Sequence, residues 1–351
     1  MKKILPKLAL ALLPLALYFA VFIAFEPNNY FGLRKNGSTN SPIARIRAYE
    51  EAPHSAIILG DSRMAHFDMA LVNEAAGRPY ANVAYGGAGL DESIDEFYYL
   101  YAQNPSIDTV VFGLSFYTLN EAYKPFNRMK TVETQLANPA AYVFNLEYNI
   151  NTLTVLGERI GYALRGEPYE DAEETAQHTA AEYTDANGTA LPFRSNLIDY
   201  AATLYGNCAA KGVSLLPPRT YGADGMLTNA AALAAAMRGA TFADSKFAVN
   251  EDGLARLAAL ATFCAQHGVA LTFVLPPMDE SVRALVCEPL GIDTAMQPAL
   301  DALAATGAQV LDYEWTNAPD YPDTAYYDGF HLDTRHGLPE WTKTLFHEVA
   351  R

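Results

Sequence analysis

Residues 55–62 read Ser-Ala-Ile-Ile-Leu-Gly-Asp-Ser. A short apolar run with two β-branched residues enters a glycine and two small polar residues, the pattern of a buried strand that stops at a sharp turn. Ser55–Leu59 is therefore a strand candidate and Gly60-Asp61-Ser62 the turn beyond its carboxyl end. The same rhythm continues downstream. Met64–Ala76 reads as a helix, and Pro79–Tyr85 as a weaker strand ending at Gly86-Gly87-Ala88-Gly89. Ile94–Gln103 reads as a helix and Thr109–Leu114 as a third strand. After residue 115 the alternation stops for about 130 residues, far beyond ordinary connection lengths. It resumes with a helix over Gly253–Gln266, for which Gly268 is the C-cap glycine. A strand over Val269–Leu275, stopped by Pro276-Pro277, and a helix over Ala295–Ala305 come next. A fifth strand over Gln309–Tyr313 and a closing helix over Leu338–Val349 complete the series. Strands alternating with helices in this way predict an α/β fold: a three-layer sandwich on a five-stranded parallel sheet, with residues 116–248 inserted after the third strand. The insertion is expected to carry its own helices, one of them Ala-rich near Asn229–Arg238, and to fold over the sheet edge. It also contains an acidic patch from Glu167 to Glu174 and the turn cluster Pro217-Pro218.

Upstream of residue 52 the sequence changes character. Residues 26–51 are rich in Asn, Gly, Ser and Pro in their first two-thirds and read as a stalk. Before them, Leu8 to Phe25 is an uncharged apolar run of 18 residues. As a helix it is roughly 27 Å long, close to the thickness of a bilayer core. Lys2, Lys3 and Lys7 precede it and Glu26-Pro27 end it. This flank predicts a single transmembrane anchor with a cytoplasmic N-terminus and an extracytoplasmic body of residues 52–351. A cleaved secretory signal is the alternative, although such signals have shorter apolar cores and end in small residues, whereas this run ends in Phe22, Ile23 and Phe25.

The chain has 351 residues, of which half are apolar and 18% charged, so it has ample material for a buried core. Its net charge is −16. The first 25 positions hold three of the 24 basic residues and no acid, so the remainder carries −19. A body that acidic repels phosphate backbones, which argues against nucleic acid as a partner. Cys208, Cys264 and Cys287 cannot all pair and show no C-x-x-C spacing. They allow one bridge or three buried thiols, and no metal site or Gly-rich phosphate loop is read from the sequence.

In a parallel α/β sheet, ligands gather beyond the carboxyl ends of the strands. Ser62 lies at such an end, where a hydroxyl can stand above the sheet near helix-terminal amides; alternatively Ser62 or Asp61 simply caps the next helix. A second element, Tyr326-Tyr327-Asp328-Gly329-Phe330-His331-Leu332-Asp333, follows the fifth strand. A carboxylate three residues before an imidazole can orient the ring and stabilise its cation, leaving the other nitrogen to deprotonate a serine. Each motif alone is also an ordinary cap or turn. Together, at the ends of the first and last strands of one sheet, they point to nucleophilic catalysis by Ser62, His331 and Asp328.

In these blocks the sequence resembles the SGNH/GDSL hydrolase family. Gly60-Asp61-Ser62 matches the first block of that family and Asp328-Gly329-Phe330-His331 the last. Asn82-Val83-Ala84-Tyr85-Gly86-Gly87 looks like the glycine block. The resemblance implies the SGNH hydrolase fold, a flavodoxin-like sandwich. It also implies an oxyanion hole from the amides of Ser62 and Gly87, and no cofactor. The third block of the family supplies an Asn donor after the third strand. Here that turn reads Gly113-Leu114-Ser115-Phe116, so Ser115 stands in the Asn place with a shorter donor. Loss of one such donor costs about 100- to 1000-fold in rate.

The anchor and the missing Asn are similar to membrane-anchored members that work beside membrane-bound O-acyltransferases, such as the D-alanyl transfer protein of teichoic acid modification and the alginate O-acetylation proteins. The expected role is then an esterase or O-acyltransferase acting on a cell-envelope polysaccharide or other acylated substrate. Possible partners are a membrane-bound O-acyltransferase and membrane lipid. A non-catalytic SGNH-like partner and a signal-bearing esterase for small esters are the alternatives.

The remaining candidates are individual side chains. Arg63 can bind an anionic substrate group or pair with a nearby acid. His54 and His66 flank the serine, His336 begins the last helix, and His178, His267 and His347 have no motif context. Tyr85, Tyr117, Tyr326 and Tyr327 can form a sugar-stacking rim or belong to ordinary core and surface.

Overall fold

The computed structural model describes residues 4–33, 41–166, 193–210, 216–223, 226–239 and 244–349. The acidic patch Glu167 to Glu174 and His178 lie outside the described residues. The chain forms two compact units: Met1–Glu51 with Arg128–Glu173, and Ala52–Asn127 with Glu174–Arg351.

The larger unit is built on five parallel strands, β1 (Ala56–Leu59), β2 (Ala81–Asn82), β3 (Thr109–Gly113), β4 (Ala270–Leu275) and β5 (Gln309–Asp312). Their order is β2-β1-β3-β4-β5, that of flavodoxin-like doubly wound sheets. Every residue of β1 is buried. That is why its sequence is a continuous apolar run rather than an alternation: helices cover both faces of the sheet. One face packs Ala56, Ile58, Val111 and Val274 with Met64, Val72, Trp341 and Phe346 in a single apolar cluster.

The register brings the carboxyl ends of four strands level, pairing Leu59 with Phe112, Gly113 with Val274 and Leu275 with Asp312. Residues just beyond those ends are therefore neighbours. Gly60 and Gly113 meet at the first of these junctions. Gly60 has φ +135°, and a Cβ on it would come within 3.0 Å of both the Gly113 carbonyl and Met64. A Cβ on Gly113 would collide with the same methionine. Two glycines thus let the Met64 side chain drop onto the strand ends.

Several element boundaries differ from the sequence expectation. The predicted helix Met64–Ala76 is two helices, Ser62–Ala65 and Met69–Ala76, because Asp68 breaks in and caps the second by accepting from the Ala70 amide. The weak strand Pro79–Tyr85 contracts to the two residues of β2. Beyond it, extended chain still bonds to the sheet through the Val83 amide to Ile58 and the Tyr85 amide to Gly60. Gly268 caps the helix Glu251–His267 in the left-handed conformation, as its position predicts. The three cysteines are free and buried.

The smaller unit joins the helices Ile4–Phe25 and Pro42–Glu51 to Met129–Ala137, Pro139–Val143 and Leu146–Arg165. Residues 128–165 of the predicted insertion therefore fold with the N-terminal segment. The stretch read as a stalk is packed where it is described: Tyr30, Ile43, Ile46 and Tyr49 are buried. Tyr142 is the centre of this unit. Its ring stacks on Tyr30 at 4.1 Å between centroids and meets Phe22 edge-on at 5.8 Å. Its hydroxyl donates to Glu26 at 2.5 Å and accepts from Asn28 at 3.1 Å. Burial, reinforced by the Glu26 charge, pushes that phenol far up.

The apolar run Leu8–Phe25 is helical throughout but divided in use. Phe22 is 1% exposed, and the Tyr18 hydroxyl lies 2.9 Å from both the Val143 carbonyl and Asn149 Oδ1. Leu10, Leu12, Leu13, Leu15 and Leu17 are exposed. Among the described residues, no helix is long and apolar enough to cross a membrane, so the structure does not support the expected transmembrane helix. The C-terminal part of the run is engaged in protein packing.

Candidate active site

All the residues of this site belong to the larger unit. Ser62 is the first residue of the short helix after β1, and it is half-buried beside buried neighbours. Asp61 caps that helix by accepting from the Arg63 amide at 3.0 Å, and its other oxygen accepts from the Tyr117 hydroxyl at 2.7 Å. Asp61 thereby fixes the turn that carries the serine.

The loop after β5 is shaped by its own carboxylate. Asp328 Oδ1 accepts from the amides of Phe330 at 3.0 Å and His331 at 2.8 Å. Gly329 between them has φ +79°, and its carbonyl accepts from the Asp279 amide at 2.7 Å. The turn folds the imidazole back over the same carboxylate, so His331 Nδ1 lies 2.9 Å from Asp328 Oδ2. His331 Nε2 lies 2.7 Å from Ser62 Oγ. Serine, imidazole and carboxylate therefore form a connected line across residues 269 positions apart in sequence. Burial pushes the Asp328 carboxyl up, but the His331 charge, its ring hydrogen bond and the two amide donors outweigh burial. The net result holds the carboxyl below its ordinary value.

No protein-family model matches the chain, and no curated protein matches it. The chemical reading rests on this geometry.

Arg63 is not a free cation for substrate. Its side chain is 1% exposed and pairs with the equally buried Glu314 at 2.5 Å. It also donates to the carbonyls of Pro276 at 2.6 Å and Pro277 at 2.8 Å, and lies 3.9 Å from the centroid of the Phe330 ring. One side chain thus ties together the strand ends after β1, β4 and β5. Burial pushes the Glu314 carboxyl up to about 7, against the opposing pull of Arg63.

Ser115 is 1% exposed, and its hydroxyl accepts from Arg63 Nη1 at 3.3 Å. Gly87 is exposed, with φ +72°. The Asn82 amide donates to the Met64 and Ala65 carbonyls, bracing the short helix behind Ser62.

The other candidates fall elsewhere. Tyr85 and Tyr326 are buried in the core and form no rim. Tyr327 donates its amide to the His331 carbonyl. His66 is buried, His267 stacks on Phe263, and His347 is exposed on the last helix. His336 bonds Asp333 in a second turn of the same kind, Nδ1 to Oδ1 at 2.7 Å, just before the helix Gly337–Val349. Among the described residues no cluster of His, Cys, Asp and Glu could hold a metal ion.

Sequence reasoning missed two contributors. Glu314 lies two residues beyond β5, a strand-end position that the ligand rule for parallel sheets could have flagged. The helix Phe193–Cys208, from the insertion, supplies Asn196 and Tyr200 one turn apart. Asn196 donates to the Tyr327 carbonyl at 2.8 Å, and the Tyr200 ring meets the His331 ring edge-on at 5.4 Å. This helix braces the histidine loop rather than the sheet edge. Its apolar periodicity signals a helix, but nothing local says what it packs on.

Proposed function

We propose that this chain is a serine esterase or O-acyltransferase of the SGNH/GDSL kind. The observation that carries the reading is the 2.7 Å contact between Ser62 Oγ and His331 Nε2, with Nδ1 of the same ring on Asp328. In the proposed reaction His331 Nε2 takes the proton of Ser62 as Oγ bonds to the carbonyl carbon of an ester. The amides of Ser62 and Gly87 receive the oxyanion. Collapse expels the alcohol, which takes the proton from His331, and leaves an acyl group on Ser62. Water or an acceptor hydroxyl, deprotonated by His331, then takes the acyl group, and Ser62 regains its proton. Asp328 stabilises the imidazolium in both halves.

The proposed setting is extracytoplasmic, with the chain held at a membrane by its N-terminal helix. The exposed leucines from Leu10 to Leu17 support that attachment. The proposed substrate is an acylated cell-envelope polysaccharide, with a membrane-bound O-acyltransferase as working partner. The net charge of −16 favours a neutral glycan over a strongly anionic polymer. A fluorophosphonate probe is expected to label the wild-type protein at Ser62 and to leave Ser62→Ala unlabelled. A folded sample that resists labelling, with Ser62→Ala equal to wild type in acyl turnover, refutes the reading.

One observation favours a second reading, a non-catalytic SGNH-like partner of such an acyltransferase. Ser115 is 1% exposed beside the buried Arg63, and the Asn82 amide already donates to the Met64 and Ala65 carbonyls, so neither side chain presents a donor to an oxyanion. On this reading Ser62→Ala supports normal polymer acylation in cells while deletion of the protein does not.

A further inference from the structure

The helix Leu146–Arg165 carries an apolar row that its own unit leaves uncovered. Leu146, Ile150, Leu153, Ile160 and Leu164 are 75, 55, 64, 51 and 84% exposed. With Gly157 they step along the chain by four, three, four, three and four residues. At about 100° per residue the row occupies roughly 80° of arc and runs about 27 Å. A stripe this narrow and regular has the spacing of a two-helix coiled-coil seam rather than of the broader face of a core helix.

Three features select what lies against it. The spacing reads the same in both directions, so two such helices running antiparallel set Leu146 against Leu164 and Ile150 against Ile160. Leu153 then meets Gly157, and this pairing occurs twice. Gly157 is the second feature. A glycine in mid-helix costs about 1 kcal/mol relative to alanine. Nothing among the described residues requires it, because a Cβ there would meet none of their atoms within 4 Å. Opposite a leucine of a second helix it becomes the hole for that knob. The third feature is charge. Glu147 and Arg165 are five helical turns apart and lie on the same flank of the row. A two-fold axis between antiparallel helices brings the Glu147 of one copy beside the Arg165 of the other.

Two other occupants fit less well. Residues 167–192, which follow the helix, contain seven acidic residues and only Leu191 among Leu, Ile, Val and Met. They offer no apolar set to cover the row. A lipid surface selects a wide apolar face bordered by Lys and Arg, whereas this stripe spans only about 80° and its charged flank carries Glu147 and Glu158 as well as Arg165.

We propose that the chain forms a two-fold symmetric dimer in which the helix Leu146–Arg165 pairs antiparallel with the same helix of a second copy. The proposal is independent of the acyl-transfer reading.

Sedimentation equilibrium of the full chain in detergent tests it, with an expected mass of twice the 38.3 kDa of one chain. Leu153→Glu is expected to reduce the mass to one chain. Adding Gly157→Lys is expected to restore the dimer, because each glutamate then faces a lysine across the seam. Both positions are exposed, so an unchanged circular dichroism spectrum and unfolding midpoint for the monomeric variant separate loss of pairing from loss of fold. A mixture of Leu146→Cys and Leu164→Cys proteins is expected to form a disulfide-linked dimer that neither forms alone, the native cysteines being buried. A single-chain mass at every concentration overturns the proposal, as does self-linking of Leu146→Cys, which marks a parallel pair. A monomer whose binding to phosphatidylcholine vesicles is abolished by Leu153→Glu also overturns it and makes a bilayer the occupant.

Discussion

Replacing Asp328 by asparagine isolates the chemistry of the carboxylate from its structural work. Asp328 Oδ1 receives the Phe330 and His331 amides, and an asparagine oxygen can receive both, so the turn is expected to survive. Oδ2, 2.9 Å from His331 Nδ1, becomes an NH2 group. Two donors then face each other unless the ring gives up its Nδ1 proton and carries it on Nε2. In that tautomer the ring donates to Ser62 Oγ across the 2.7 Å contact and cannot accept the serine proton. The same exchange of carboxylate for amide in a serine protease triad lowers turnover about 10⁴-fold, or roughly 5 kcal/mol of transition-state stabilisation. The assay is the second-order rate of fluorophosphonate labelling of Ser62, alongside thermal unfolding to verify the fold. A loss of about 10³-fold or more with little change in midpoint is expected. Labelling within about tenfold of wild type in a folded Asp328→Asn protein would show that the Nδ1 contact does not set the state of the ring, and the triad reading would fall.

Three further outcomes are expected. Folded Glu314 keeps its proton up to about pH 7, whereas the unfolded chain releases it near 4.5. The folded state therefore binds more protons between these values, and stability falls by about 3 kcal/mol as pH rises through that window, then levels off. Urea midpoints measured from pH 4 to 8 should show this slope in wild type and not in Glu314→Gln; equal slopes contradict the assignment. Gly60→Ala places a Cβ within 3.0 Å of the Gly113 carbonyl at φ +135° and should lower the unfolding free energy by about 1–3 kcal/mol in chemical denaturation, since it demands a strained backbone. Phe22→Ala removes a fully buried ring that packs on Tyr142 and should cost about 3–5 kcal/mol, read as faster proteolysis within residues 128–165; unchanged cleavage there contradicts the packing of the smaller unit.

The three central strands were legible because β1, and all but the first residue of β3 and of β4, are buried, which writes itself as a short apolar run. β2 was legible only as a weak run, since Val83 and Tyr85 bond to the sheet without forming a ladder. The serine and histidine blocks were readable from their places at strand ends. What the sequence could not separate is the two Asp-x-x-His turns. Asp328–His331 and Asp333–His336 make the same local bonds, but only His331 has a serine against its second nitrogen. Selection between them is a tertiary fact. The smaller unit was hidden for a similar reason. Asn28, Tyr30 and Glu26 have the composition of a linker, and their burial depends on Tyr142, more than a hundred residues away. Arg63 left a choice between substrate and acid, which Glu314 decides by register alone.

The division of the smaller unit between two distant stretches of chain bears on its birth. Tyr18 finds Asn149 only after 131 more residues have been added. At synthesis rates of 5–20 residues per second that interval is about 7–26 s. For most of it, Phe22 and its neighbours have left the ribosome without the surface that will bury them. Whatever first receives that apolar segment, a chaperone or a translocation channel, has the earliest claim on it. The Tyr142 cluster can form only when that claim is released.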